Sequence, residues 1–281
     1  WTNDTMEQSV LVSRREQFTL LGVIVASVLS SAAHTKIFSI YLIGITLVAS
    51  LCVLSLPRIK HSSNPNKDLD WRVFLTMAQL MVPLFISTLA NAIAATLFMF
   101  FVTDYLGLSQ AMGGTLLAIY FTSALIGIWF WQKKITRYNT INLYRLSLCM
   151  TIIMFVPGFW INDANPELFT LVCLGTGLFV GAELLLTSML LIKKIKFINK
   201  EKSSAMIMGS WGLLMKLGLA MAAGLALPLL SFWGYQPGVT PKHESLAIIY
   251  LLSPIILKSI SLILLHIHNR QNGHIYATNN I

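Results

Sequence analysis

The sequence predicts an all-α, polytopic membrane protein of eight transmembrane helices, and three observations predict it. Of its 281 residues 56% are hydrophobic and only 11% are charged, a balance too apolar for a domain that folds in water. Eight stretches reach or approach the ~20 apolar residues that ~30 Å of hydrocarbon requires at 1.5 Å per residue. The connections between them alternate sharply in lysine and arginine content, as the positive-inside rule requires of a chain that crosses back and forth.

In order, the spans are expected at 17–34, 37–56, 74–102, 110–132, 141–161, 167–192, 204–232 and 245–268. The first is the weakest, because its apolar run is short and borrows from the segment around Arg14 and Arg15. Between the second and third lies "PRIKHSSNPNKDLDW" (57–71), the longest polar connection. Its Pro, Asn, Ser and mixed charge read as a linker between two packing units. Two spans precede it and six follow.

Fifteen of the twenty basic residues fall on one side: Arg14 and Arg15, the 57–72 linker, Lys133 to Arg137, Lys193 to Lys202, and Arg270. Only Lys36 and Lys242 fall on the other, so both termini are expected in the cytoplasm. Trp129 and Trp131 at inner ends, and Trp160, Trp233 and Tyr235 at outer ends, fit aromatic belts at headgroup depth. The net charge of +9 follows from this topology and argues no nucleic-acid partner. Cys52, Cys149 and Cys173 lie within spans without CxxC or Cys/His spacing, so neither a disulfide framework nor a metal site is expected, and no cofactor. The chain opens on Trp1, with no charged n-region and cleavage site before its first span, and is read as a piece of something longer.

Several strings then resemble the glycoside–pentoside–hexuronide:cation symporters, the melibiose permease-like branch of the major facilitator superfamily. "VSRREQFTLLGVIVASVL" looks like that family's entry to helix five, and "NAIAATLFMFFVTDYLG" like the end of helix seven. "GLFVGAELLL" resembles helix ten, "WGLLMKLGLAMAAGLALPLL" helix eleven, and "SPIILK" helix twelve. The resemblance implies two six-helix domains. Residues 1–56 would be the last two helices of the first, 57–73 the cytoplasmic linker, 74–268 the complete second domain and 269–281 a cytoplasmic tail. It implies N-terminal truncation, the missing helices coming from a longer chain or a second polypeptide. It also implies a bacterial inner membrane, a sugar, glycoside or similar small organic solute, and a coupling sodium ion or proton. Two departures stand out. The family's cation-holding acids lie mainly on first-domain helices absent here, and "SMLLIKKIKFINKEK" has lysines where the family has acids.

Charges inside the spans are the sharpest functional signal. Lys216 lies ~18 Å deep by helical rise and Glu183, on the preceding span, ~14 Å deep. A lysine at a helix centre costs ~2.5–3.5 kcal/mol on insertion scales, so an anion or water must answer it. Glu183 and Lys216 are therefore expected to pair, or to share a wet cavity, on the transport path. The blander alternative is a pair that only stabilises packing. Lys258 lies ten residues from its inner end, on a helix that the resemblance implies is peripheral, and is expected to snorkel, as is Arg145.

Asn91 and Tyr120 are candidates to face solute, with an interhelix hydrogen bond as the even alternative. Gly177 and Gly181 make a GxxxG spacing, expected to serve packing within the bundle rather than dimerisation. Pro83, Pro157, Pro228 and Pro254 interrupt spans. "KKIKFINKEK" reads as a positive-inside loop, with contact to anionic membrane lipids as the alternative. His266 and His268, two apart, fall on different helix faces. The leading function is part of a secondary transporter working by alternating access, not an enzyme. The alternatives are a transport-inactive scaffold or receptor that keeps the fold, and a lipid-modifying membrane enzyme, for which no acid/His or Ser/His cluster at headgroup level argues.

Overall fold

The computed structural model describes residues 5–32, 35–55, 71–161, 166–198, 203–236, 238 and 244–272. Among them every element is helical: α1 (Thr5–Ala32), α2 (Thr35–Ser55), α3 (Trp71–Phe100), α4 (Gln110–Ile135), α5 (Thr140–Phe155), α6 (Pro166–Phe197), α7 (Ser204–Phe232) and α8 (Glu244–Asn272). Six, α3 to α8, are long and apolar enough to cross a membrane by length and composition, which makes the chain a multi-pass integral membrane protein. The linker residues 57–70 and the tail from 273 lie outside the described residues.

Helix α1 starts twelve residues before the expected span, and its pattern explains why. Ser9, Val12, Ser13 and Leu20 are buried, while Glu7, Leu11, Arg14 and Phe18 are exposed. One face is therefore committed to packing well ahead of the apolar run. That face lies on α4 and α6, and the Ser13 hydroxyl donates to Gln132 Oε1 at 2.7 Å.

Helix α6 is central, packed against α4, α5 and α1. It approaches α4 closely because both carry glycine at the contact. A methyl group built on Gly177 or Gly181 would stand 2.3 Å or 2.1 Å from the carbonyl oxygens of Tyr120 and Ala124, and one on Gly127 would stand 2.2 Å from that of Leu178. The glycine spacing thus serves packing inside the bundle, as expected. On the other side α3 packs on α8 and α7, and α5 closes against α8.

Two apolar cores fill the bundle. One, around Trp131, Ile135 and Leu190, lies toward the end that carries Lys133, Lys134 and Lys193, hereafter the basic end. The other lies toward the opposite end, where Phe101 stacks on Tyr250 at 4.3 Å and meets Phe169 at 5.1 Å. There α3 runs into a π-helical turn, Phe101–Tyr105, and α5 into a 3-10 turn, Val156–Trp160, at Pro157. Pro83, Pro228 and Pro254 stay inside continuous helices.

The aromatic belts need two corrections. Trp129, Trp160 and Trp233 are exposed, and Lys133 Nζ sits 3.4 Å over the Trp129 ring. Trp131, two residues and ~200° further round α4, instead turns inward against Phe179. Tyr235 is also buried; its hydroxyl donates to Asp104 Oδ2 at 2.5 Å, where Gly238 N donates at 3.0 Å.

Candidate solute cavity and its buried ion pair

Between the two cores the packing gives way to a cavity of about 570 Å³ lined by α1 and by α3 to α8. Along α6 its lining runs from Val172 to Ser188, ~24 Å by helical rise. Its walls are mostly aromatic and aliphatic, with a few convergent polar groups, the usual composition of a small-molecule site.

The polar centre is Glu183, which lines the cavity yet is only 3% exposed. Lys258 Nζ on α8, wholly buried, donates to Glu183 Oε1 at 2.7 Å and Oε2 at 2.6 Å. On α3, one turn apart, the Ser87 hydroxyl donates to Oε2 at 3.1 Å and Asn91 Nδ2 at 3.0 Å. From α5 the Thr151 hydroxyl, which also faces the Ser147 carbonyl, lies 3.0 Å from Oε1. Three helices thus deliver donors to one carboxylate on a fourth. A buried charge is tolerable only when paired and hydrogen-bonded in this way.

The expected partner was Lys216, and the structure corrects this. The cavity face of α7 is Met208, Trp211, Gly212, Met215 and Leu219; Lys216, one residue on from Met215 and so ~100° round the helix, is exposed and outside the lining. No ion pair joins it to Glu183, whose cation is Lys258. The expectation that Lys258 snorkels along a peripheral helix falls with it. Leu251, Pro254, Lys258, Ser261, Leu265 and His268 form a buried stripe at three- and four-residue spacing, the face that α8 turns to α3 and α5. Ser261 Oγ on that stripe donates to the Pro83 carbonyl at 2.7 Å.

Asn91 and Tyr120 both line the cavity, so three of the four candidates meet there and Lys216 does not. A second polar cluster lines the cavity toward its basic end. Arg15 on α1 pairs with Glu16 and donates to Ser188 Oγ at 2.9 Å, while Ser188 donates to Glu16 Oε1 at 3.2 Å. Sequence reasoning placed Arg15 in a flanking segment; the α1 face pattern was the available signal. Arg145, expected to snorkel, meets His266 Nδ1 at 2.7 Å in an exposed contact.

In comparison with known proteins, a family described as MFS/sugar transport protein matches residues 1–269. No curated protein matches the chain.

Proposed function

The chain belongs to the MFS/sugar transport protein family, and from that premise we propose that it is part of a secondary active transporter, a cation-coupled symporter that carries a sugar, glycoside or similar small organic solute by alternating access. The observation that carries this reading is the cavity of about 570 Å³ with Glu183, Asn91 and Tyr120 in its wall. A polar wall held rigid by an ion pair, facing aromatic surface across a space of that volume, suits a molecule with hydroxyls on its edges and apolar ring faces. Glu183, Asn91 and Tyr120 are the solute wall in this reading, and Lys258 the fixed counter-ion behind it. Residues 1–56 would belong to the first transporter domain and 74–268 to the second, with both termini in the cytoplasm of a bacterial inner membrane. Sodium or proton coupling is carried over from the symporter resemblance.

Uptake tests the reading. Vesicles holding the protein under an imposed sodium or proton gradient are expected to accumulate at least one member of a radiolabelled panel of hexoses, pentoses and their glycosides, and Asn91→Ala is expected to lower that uptake about tenfold, the equivalent of one lost hydrogen bond to solute. Uptake equal to that of protein-free vesicles for every sugar would contradict it.

A further inference from the structure

We propose that the mid-depth wall of the cavity is a hydrogen-bond acceptor subsite, fixed by Glu183 and Lys258, that takes an uncharged hydroxyl-bearing solute and turns away one bearing a carboxylate or phosphate. It rests on the sugar-carrier reading and narrows it.

The orientation of Asn91 follows from chemistry. Lys258 offers only donors, and two of its contacts hold Glu183 as a carboxylate, which only accepts. The edge of the Asn91 amide that meets Glu183 Oε2 must therefore be its NH2. Oδ1 lies on the other edge of the same planar group. It accepts no hydrogen bond from the described residues, and Asn91 lines the cavity.

Two hydroxyls of the same cavity are committed the same way. Thr88 donates to the Leu84 carbonyl at 3.0 Å and Thr176 to that of Val172 at 2.6 Å. A hydroxyl has one proton, so each presents only lone pairs to the cavity, and both residues line it. Thr19, nearer the basic end, donates to Arg15 O at 3.0 Å and adds a third such oxygen. Nη2 of Arg15 is taken up by Glu16 and Ser188, and the Glu16 carboxylate balances the guanidinium charge at that end. Tyr120 and the second N–H of Asn91 remain as donors beside these acceptors, while the other donors of the lining stand nearer its ends, Tyr144 and Trp211 with the core at the basic end and Tyr250 with the opposite core.

A sugar hydroxyl brings a proton to each acceptor. A carboxylate or phosphate brings lone pairs to lone pairs, and each buried polar atom left unmatched weakens binding by about tenfold or more. The subsite would thus sort solutes of similar ring shape by charge.

The test uses matched pairs that share a ring and differ at one carbon: methyl glucoside with methyl glucuronide, and methyl galactoside with methyl galacturonide. Binding to the purified full chain is read by isothermal titration calorimetry. The neutral member of at least one pair is expected to bind about tenfold or more tightly than its anionic partner. In the double variant Glu183→Gln with Lys258→Met, no charge is stranded and the new side chain can donate as well as accept. Asn91 is then free to turn, and the discrimination is expected to shrink to about threefold or less. Equal or tighter binding of the anionic members to the wild-type protein overturns the subsite while leaving a sugar carrier standing. Unchanged discrimination in the double variant overturns the role of Glu183. Failure of every compound to bind overturns both the subsite and the sugar reading.

Discussion

Lys258 on α8 donates to both carboxylate oxygens of Glu183 on α6, at 2.7 and 2.6 Å, and so joins a helix that the symporter resemblance implies is peripheral to the one at the centre. Each partner is buried, so each depends on the other to remain charged in a low-dielectric interior.

Removing one partner should therefore be far more damaging than removing the exposed lysine. Lys258→Met is expected to destabilise the protein by ~3–5 kcal/mol, because Glu183 is left as a buried uncompensated charge. Lys216→Leu, on an exposed face outside the cavity, should leave the thermal midpoint in detergent unchanged. A larger loss for Lys216→Leu than for Lys258→Met would reverse the assignment of partners.

The α4–α6 contact gives a second contrast. Gly181→Ala places a methyl against the Ala124 carbonyl, and something must shift; a cost of ~1–3 kcal/mol, typical of overpacking, is expected. Gly212→Ala meets nothing within 4 Å and should be neutral or slightly stabilising, since alanine is the better helix former. Equal thermal midpoints for the two variants would argue against the close approach of α4 and α6.

Tyr235 supplies a pH dependence. Burial first, and then the hydrogen bond to the Asp104 carboxylate and its charge, push the phenol above its ordinary value of 10.0. The unfolded chain therefore loses this proton at lower pH than the folded one. The stabilisation is fully present below pH 10.0 and is lost as pH rises through the folded value. Tyr235→Phe should lower stability at neutral pH by ~1.5–3 kcal/mol, the worth of a hydrogen bond to a charged group. It should also flatten the decline of the thermal midpoint above pH 10.0. A decline of equal slope in the variant would assign it to other groups.

Much of the bundle was legible because hydrocarbon thickness and apolar run length are coupled so directly. The six helices α3 to α8 fall within a few residues of expectation at most ends, and the glycine spacing on α6 marks a real close approach. The partner of Glu183 was misread for a physical reason. Depth along a helix is set by residue count, but direction around it turns ~100° per residue, and consecutive helices in sequence need not face each other. Lys258, ten residues from its inner end, has a depth of ~15 Å, nearer to that of Glu183 than Lys216 is. The buried stripe from Leu251 to His268 was there to be read in the 3.6-residue pattern. What hid it was the assumption that the last helix is peripheral. The Arg15, Glu16 and Ser188 cluster was hidden differently: the α1 face pattern marks a packed helix, but the cluster joins residues more than 170 positions apart, and that pattern does not name the partner.

Transport by the four proteins of a double-mutant cycle, wild type, Glu183→Gln, Lys258→Met and the pair together, tests most directly whether this buried ion pair serves the solute path. The expected result is that both single variants fold poorly and that the double variant regains wild-type stability, no charge being stranded. Solute uptake by the double variant should nevertheless stay below about a tenth of the wild-type rate, because Asn91 is no longer held toward the solute. A double variant that is stable and transports at the wild-type rate would show that Glu183 and Lys258 only hold the helices together, and the cavity wall would lose its proposed part in transport.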